Sequence, residues 1–201
     1  VIALVYGGAA SGKSEYAEAM MMQMSGPRIY VATMRPFDEE AYARVEKHVS
    51  RRREMGFSTE ECYDELTSID VPGDAAVLLE CMGNLTTNLL YAADGEGTPS
   101  TIEGVEAFQT LPVDVTVARI DRIIDHRCAH ARDCVLVSND IFSSGEAYPP
   151  ETTAYVEALG QAMAHAAENA DFVIEVVCGI PVYRKGTREG FMSVMDERSR
   201  S

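Results

Sequence analysis

Short apolar runs alternate with longer, more polar stretches along most of this chain. The runs Ile2–Tyr6, Arg28–Ala32, Ala75–Leu79, Cys134–Ser138 and Phe172–Val177 are rich in Val, Ile and Leu. They are continuous rather than alternating, as expected for strands of a parallel sheet covered on both faces. Helical stretches fall between them at Ser14–Met24, Asp38–Met55, Asn84–Ala92, Val113–Ala131 and Thr152–Asn169. This succession predicts a three-layer α/β fold. The piece Pro181–Arg184, after the Gly179-Ile180 turn, is expected to add an antiparallel edge strand. Residues Ala93–Leu111 hold three Gly and a Pro and read as a surface loop. The pattern divides the chain into one domain over residues 1–185, with a variable excursion at 92–130. A polar tail, expected to fray, follows at 186–201.

Charge and size narrow the function. The 201 residues suit one domain with a sizeable core. Lys and Arg number 17 against 32 Asp and Glu, a formal charge of −15. Such a surface repels nucleic acid, so sequence-independent DNA or RNA binding is excluded as a role. No apolar run reaches membrane-spanning length. The first strand begins at once, which leaves no room for a signal peptide and predicts a cytoplasmic location. The five cysteines (Cys62, Cys81, Cys128, Cys134, Cys178) are odd in number and form no C-x-x-C pair. They read as reduced thiols, with neither zinc nor a disulfide framework indicated.

An acidic protein that takes up anionic nucleotides needs a local positive site, and one is present. Gly7-Gly8-Ala9-Ala10-Ser11-Gly12-Lys13-Ser14 fits the phosphate-binding pattern G-x-x-x-x-G-K-[ST]. An apolar strand precedes it and a run of helix formers follows it. Glycines let backbone N–H groups curl around phosphate oxygens, and the helix N-terminus adds partial positive charge. Lys13 would reach the β- and γ-phosphates, and the Ser14 hydroxyl would hold Mg²⁺. The motif does not choose between kinase, hydrolase, nucleotidyl transferase and switch. Glu80 ends an apolar strand, where an acid opposite such a loop commonly helps hold Mg²⁺. A solvated acid at the strand end is the alternative. Asn84 and Asn88 stay open between capping and packing.

The helix Asp38–Met55 begins acidic and ends in His48-Val49-Ser50-Arg51-Arg52-Arg53. That polarity complements a helix dipole. Neighbouring cations lower a histidine's pKa and would keep a ring nitrogen free to act as nucleophile. The arginines could also grip phosphate oxygens. From residue types alone a solvated helix end is the better account. His126 and His130 share a helix face, but without an H-E-x-x-H pattern they read as polar surface rather than a metal pair. His165 takes no role.

The order of motifs resembles the bifunctional adenosylcobinamide kinase/adenosylcobinamide-phosphate guanylyltransferase family of cobalamin biosynthesis. The resemblance rests on the loop, Tyr30-Val31-Ala32-Thr33, the helix ending in His48, and Leu78-Leu79-Glu80-Cys81 with Thr87-Asn88-Leu89-Leu90. Leu136-Val137-Ser138-Asn139-Asp140, Ala170-Asp171-Phe172-Val173 and Gly179-Ile180-Pro181 complete the succession. It covers residues 1–184 apart from 92–130, which is longer here. It implies a phosphate-loop NTPase-like (RecA-like) fold with a mostly parallel sheet and two reactions at one nucleotide site. A nucleoside triphosphate, GTP or ATP, phosphorylates adenosylcobinamide with Mg²⁺; GTP then donates GMP through a guanylylated histidine. By position that histidine is His48, with Ser50, Arg51 and Arg52 beside the nucleotide. Ala32, Thr33, Met34, Glu61 and Glu80 fall where the family contacts GTP. A homotrimer, a corrinoid substrate and no nucleic-acid partner are implied with it. The chain departs from the family at Ala10, often Arg, and at Met163-Ala164, usually Asn-Gln. It departs again at Asn139-Asp140, usually Asn-Glu, and in the continuation Ile141–Gly145. Two other readings remain: a phosphate-loop kinase for another small molecule without GMP transfer, and a degenerate relative that binds nucleotide or corrinoid without turnover.

Overall fold

In the computed structural model the apolar runs become strands of a single sheet. Residues 1–36, 39–63, 71–91, 100–102, 105–107, 110–142, 145 and 148–199 are described. The side chains at 40–44, 47, 48, 100–102, 105–107 and 199 fall outside that description. The elements in chain order are β1 (Ile2–Gly7), α1 (Lys13–Met21), β2 (Arg28–Ala32), α2 (Glu39–Glu54) and β3 (Phe57–Glu61). Next come β4 (Ala76–Glu80), α3 (Met82–Leu90), β5 (Ser100–Ile102), β6 (Val105–Ala107) and α4 (Val113–His130). The chain closes with β7 (Asp133–Asn139), α5 (Pro150–Asn169), β8 (Phe172–Val177), β9 (Ile180–Lys185) and α6 (Arg188–Ser199).

The seven-stranded sheet runs β3-β2-β4-β7-β1-β8-β9. Every pair is parallel except β8–β9, the expected antiparallel edge. Because side chains alternate across a strand, each run feeds two cores. Leu4, Val31, Val77, Leu79 and Leu136 pack towards Leu85, Leu89, Ile120 and Leu159 from α3, α4 and α5. Ala3, Val5, Tyr30, Leu78 and Val137 pack on the other face with Ala17, Met20 and Met21 of α1. Alternation also decides where the acid goes. Glu80 lies two residues beyond Leu78, so it projects to the α1 face, and its register partner on β2 is Ala32.

Three segments differ from the sequence expectation. The strand β3 is additional: only Phe57 of its five residues is buried, so the hydrophobic pattern gives little sign of it. Within Ala93–Leu111, read as a loop, β5 and β6 pair as an antiparallel ribbon; residues 92–99, 103–104 and 108–109 lie outside the described residues. The polar tail is not frayed. Residues 188–199 form α6, and it buries Phe191 and Met195 against the α1-side core. The Phe191 ring meets Phe172 edge-on, with centroids 5.6 Å apart. Replacing Phe191 with alanine is expected to destabilise the protein by about 3–5 kcal/mol, read by denaturant unfolding. A loss under about 1 kcal/mol would return the segment to the status of a tail.

Candidate functional site

The carboxyl ends of β1, β2, β4 and β7 reach the same edge of the sheet, the usual place for a ligand in an open α/β fold. The glycine loop leaves β1 there and turns into α1 at Lys13. Gly7 is required because a Cβ would sit 2.4 Å from the Val176 carbonyl oxygen. Gly12 is required because the chain enters the helix at φ 89°, a left-handed conformation. Ala10 is also left-handed, at φ 53°. Two backbone bonds hold the loop from either side: Asp140 N–H donates to Gly7 O at 2.9 Å, and Gly179 N–H to Ser11 O at 2.8 Å. Lys13 Nζ folds back to donate to Gly8 O at 3.3 Å.

A cavity of about 440 Å³ opens beside this loop. Lys13, Ala32, Met34, Arg52, Glu61 and Glu80 line it. The sequence expectation had singled out all six. Ser14 Oγ donates to Glu80 Oε1, joining the first turn of α1 to the end of β4. Glu80 Oε2 is buried without a hydrogen-bond partner among the described residues. A hydroxyl beside a carboxylate with a spare buried oxygen is a donor set that suits Mg²⁺. No cluster of three or more His, Cys, Asp or Glu suited to a metal occurs among the described residues.

Other expected residues are placed differently. Thr33 is fully buried; its Oγ1 donates to Cys81 O at 2.9 Å and accepts from Cys81 N–H at 2.7 Å. It fastens β2 to β4, and Asn88 Nδ2 secures the same corner by donating to Thr33 O at 2.8 Å and Tyr63 O at 2.9 Å. Ser50 is exposed, and Arg51 points to Glu18 of α1. Arg52 lies across the Tyr30 ring, 3.3 Å from its centroid. Burial first, then the Glu80 carboxylate, push the Tyr30 hydroxyl far above the usual phenol range, so the phenol stays protonated. Position 48 is described through its backbone alone. It lies on α2 among Val45, Val49 and Arg52, all of which line the cavity. Offsets of −3, +1 and +4 put the four on one helical face.

Tyr30, Val45, Val49, Cys81 and Asn139 also line the cavity and were not foreseen as lining; Asn84, left open, lines it too. The 45/49/52 spacing was the readable signal for α2. The His126 and His130 rings stack at 4.0 Å on α4 and belong to no group of three or more potential metal ligands among the described residues. At the departures, Ser138 Oγ donates to the sulfur of Met163 at 3.1 Å, so this methionine satisfies a buried hydroxyl. Phe142 covers Gly160, where a Cβ would meet its ring at 3.3 Å.

Residues 3–183 match the family described as cobinamide kinase / cobinamide phosphate guanyltransferase. The chain belongs to this family. Similar relatives include the bifunctional adenosylcobalamin biosynthesis protein CobU of Salmonella typhimurium, 33% identical over 89% of this chain and 97% of that protein. The CobU of Escherichia coli is equally similar, at 33% over 89% of this chain and 97% of its own length. The CobP of Pseudomonas aeruginosa is 27% identical over 91% and 96%. The cobinamide kinase/guanyltransferase family is thus matched from β1 into β9. Among the described elements, α6 alone lies wholly beyond the matched residues.

Proposed function

We propose that the chain catalyses both reactions of its family at the cavity beside the glycine loop. The carrying observation is the convergence there of Lys13, the Ser14–Glu80 pair and the face of α2 that holds position 48. In the first reaction a terminal hydroxyl of adenosylcobinamide attacks the γ-phosphorus of GTP or ATP; the bond to the β-bridging oxygen breaks and the nucleoside diphosphate leaves. In the second, a ring nitrogen of His48 attacks the α-phosphorus of GTP. A P–N bond forms, the α–β bridging bond breaks and pyrophosphate leaves. A phosphate oxygen of adenosylcobinamide phosphate then attacks the same phosphorus and releases the imidazole, giving adenosylcobinamide-GDP. A covalent intermediate divides one hard transfer into two easier ones.

Within this scheme Gly7–Ser14 cradles the phosphates through backbone N–H groups, and Lys13 neutralises charge on the β- and γ-oxygens. Ser14 and Glu80 would hold Mg²⁺, which supplies further neutralisation of the phosphate charge when bound. Arg52 and Glu61 complete the wall of the cavity where the nucleotide would lie. The corrinoid is the second substrate, and the protein works in the cytoplasm as a homotrimer. No helix among the described residues is long and apolar enough to cross a membrane.

The test is intact-protein mass spectrometry after exposure to GTP and Mg²⁺, paired with an assay of adenosylcobinamide phosphorylation. A GMP adduct that is stable to base and labile to acid, together with phosphorylated corrinoid, is the expected result. Phosphorylation without any adduct would replace this reading by a kinase without GMP transfer.

A further inference from the structure

Helix α2 carries position 48 and, among the described residues, packs most on the edge strand β3. A buried carboxylate on α1 ties down its last turn as well. Glu18 is 3% exposed. Both its oxygens accept from Arg51 Nη2, at 2.7 and 2.6 Å, and Oε1 lies 3.4 Å from Arg52 Nε. Arg52 is itself pressed on the Tyr30 ring. The last turn of α2 is thereby tied to the helix whose first residues are Lys13 and Ser14. Glu18 does not line the cavity. Its influence on anything bound there passes through the arginines.

From this geometry we infer that Glu18 is a positioning residue for guanylyl transfer: it fixes α2, and with it His48, relative to the phosphates held at the start of α1. The inference rests on the assignment of the nucleophile to His48. One rigid helix would then hold the α-phosphorus at its N-terminus and the arm carrying the imidazole further along. Position 48 lies one turn, about 6 Å along the axis, from Arg52. Attack in line on phosphorus tolerates little displacement; an error of about 1 Å can cost about 10²-fold in rate. The phosphorylation reaction takes its nucleophile from the substrate, so at saturating nucleotide it does not depend on where the imidazole stands.

Glu18→Gln keeps the shape and removes the charge that holds both arginines. The expected result is a drop of about tenfold or more in the rate of GMP–enzyme formation at saturating GTP, where any change in nucleotide affinity through Arg52 no longer enters. Phosphorylation of adenosylcobinamide should stay within about threefold of wild type. Arg51→Met, at a half-exposed position that faces Glu18 and is outside the cavity lining, should give the same split. It also answers the question if the Glu18 variant does not fold. The double variant Glu18→Gln/Arg51→Met should be no slower than the slower single variant, because both remove one tie. Equal loss of both reactions, multiplicative losses in the double variant, or unchanged adduct formation would each overturn the inference. Absence of the adduct in wild type would instead remove the His48 assignment, and this inference with it.

Discussion

Alanine at position 48 is expected to abolish GMP labelling of the protein while leaving phosphorylation of adenosylcobinamide within a few-fold of wild type. The imidazole is the only enzyme group that this scheme asks to form a covalent bond, a P–N bond to the α-phosphorus. Val45, Val49 and Arg52, which share its helix face, offer no nucleophile, since valine has none and a guanidinium presents only hydrogen-bond donors. Overall GMP transfer should fall by about 10³-fold or more, since a missing nucleophile leaves only direct transfer at a site still able to bind both substrates. The substitution removes a polar residue from a helix and replaces it with a better helix former, so folding should not confuse the result. Mass spectrometry of the variant after GTP exposure, beside the kinase assay, checks both halves. A persistent adduct would move the nucleophile elsewhere.

Lys13→Ala is expected to behave in the opposite way, suppressing both reactions together. Lys13 is the one lysine among the described residues that line the cavity, at the point where α1 begins. Loss of a single group stabilising transition-state charge costs about 10²–10³-fold in kcat. Here one triphosphate site serves γ-phosphoryl transfer and α-phosphoryl transfer alike, so the two activities should fall by similar factors. Steady-state assays of each reaction with the same variant test this. Survival of either at wild-type rate would mean two separate nucleotide sites. Taken with the His48 variant, the pattern separates a group that serves the nucleotide from one that serves a single step.

The buried strands were legible because a parallel sheet covered on both faces needs continuous apolar runs; β2 and β8 begin and end where the pattern places them. The edge was not. Phe57-Ser58-Thr59-Glu60-Glu61 buries one side chain, and an edge strand can carry polar residues at no cost. Phe191 and Met195 are four apart on α6, a helical stripe too sparse to stand out in a polar stretch. At the site, the glycine loop announces itself because backbone geometry dictates its residues. Glu80 is legible as a strand end, and its orientation towards Ser14 follows from alternation once Leu78 is known to face α1. Glu18 was invisible: it is one more Glu in a helix, and its partners are 33 and 34 residues away. Thr33 shows the reverse limit. Expected among the nucleotide contacts, it is absent from the cavity lining, and its side chain is spent on joining two strands.

The arginine placed over the Tyr30 ring has an optical consequence. The chain has no tryptophan and nine tyrosines, so its ultraviolet emission comes from phenol rings alone. Of these, the ring under Arg52 borders the cavity, beside a carboxylate able to quench it. A ligand that displaces the guanidinium or screens Glu80 would alter that emission, giving a label-free signal of occupancy from an unmodified protein.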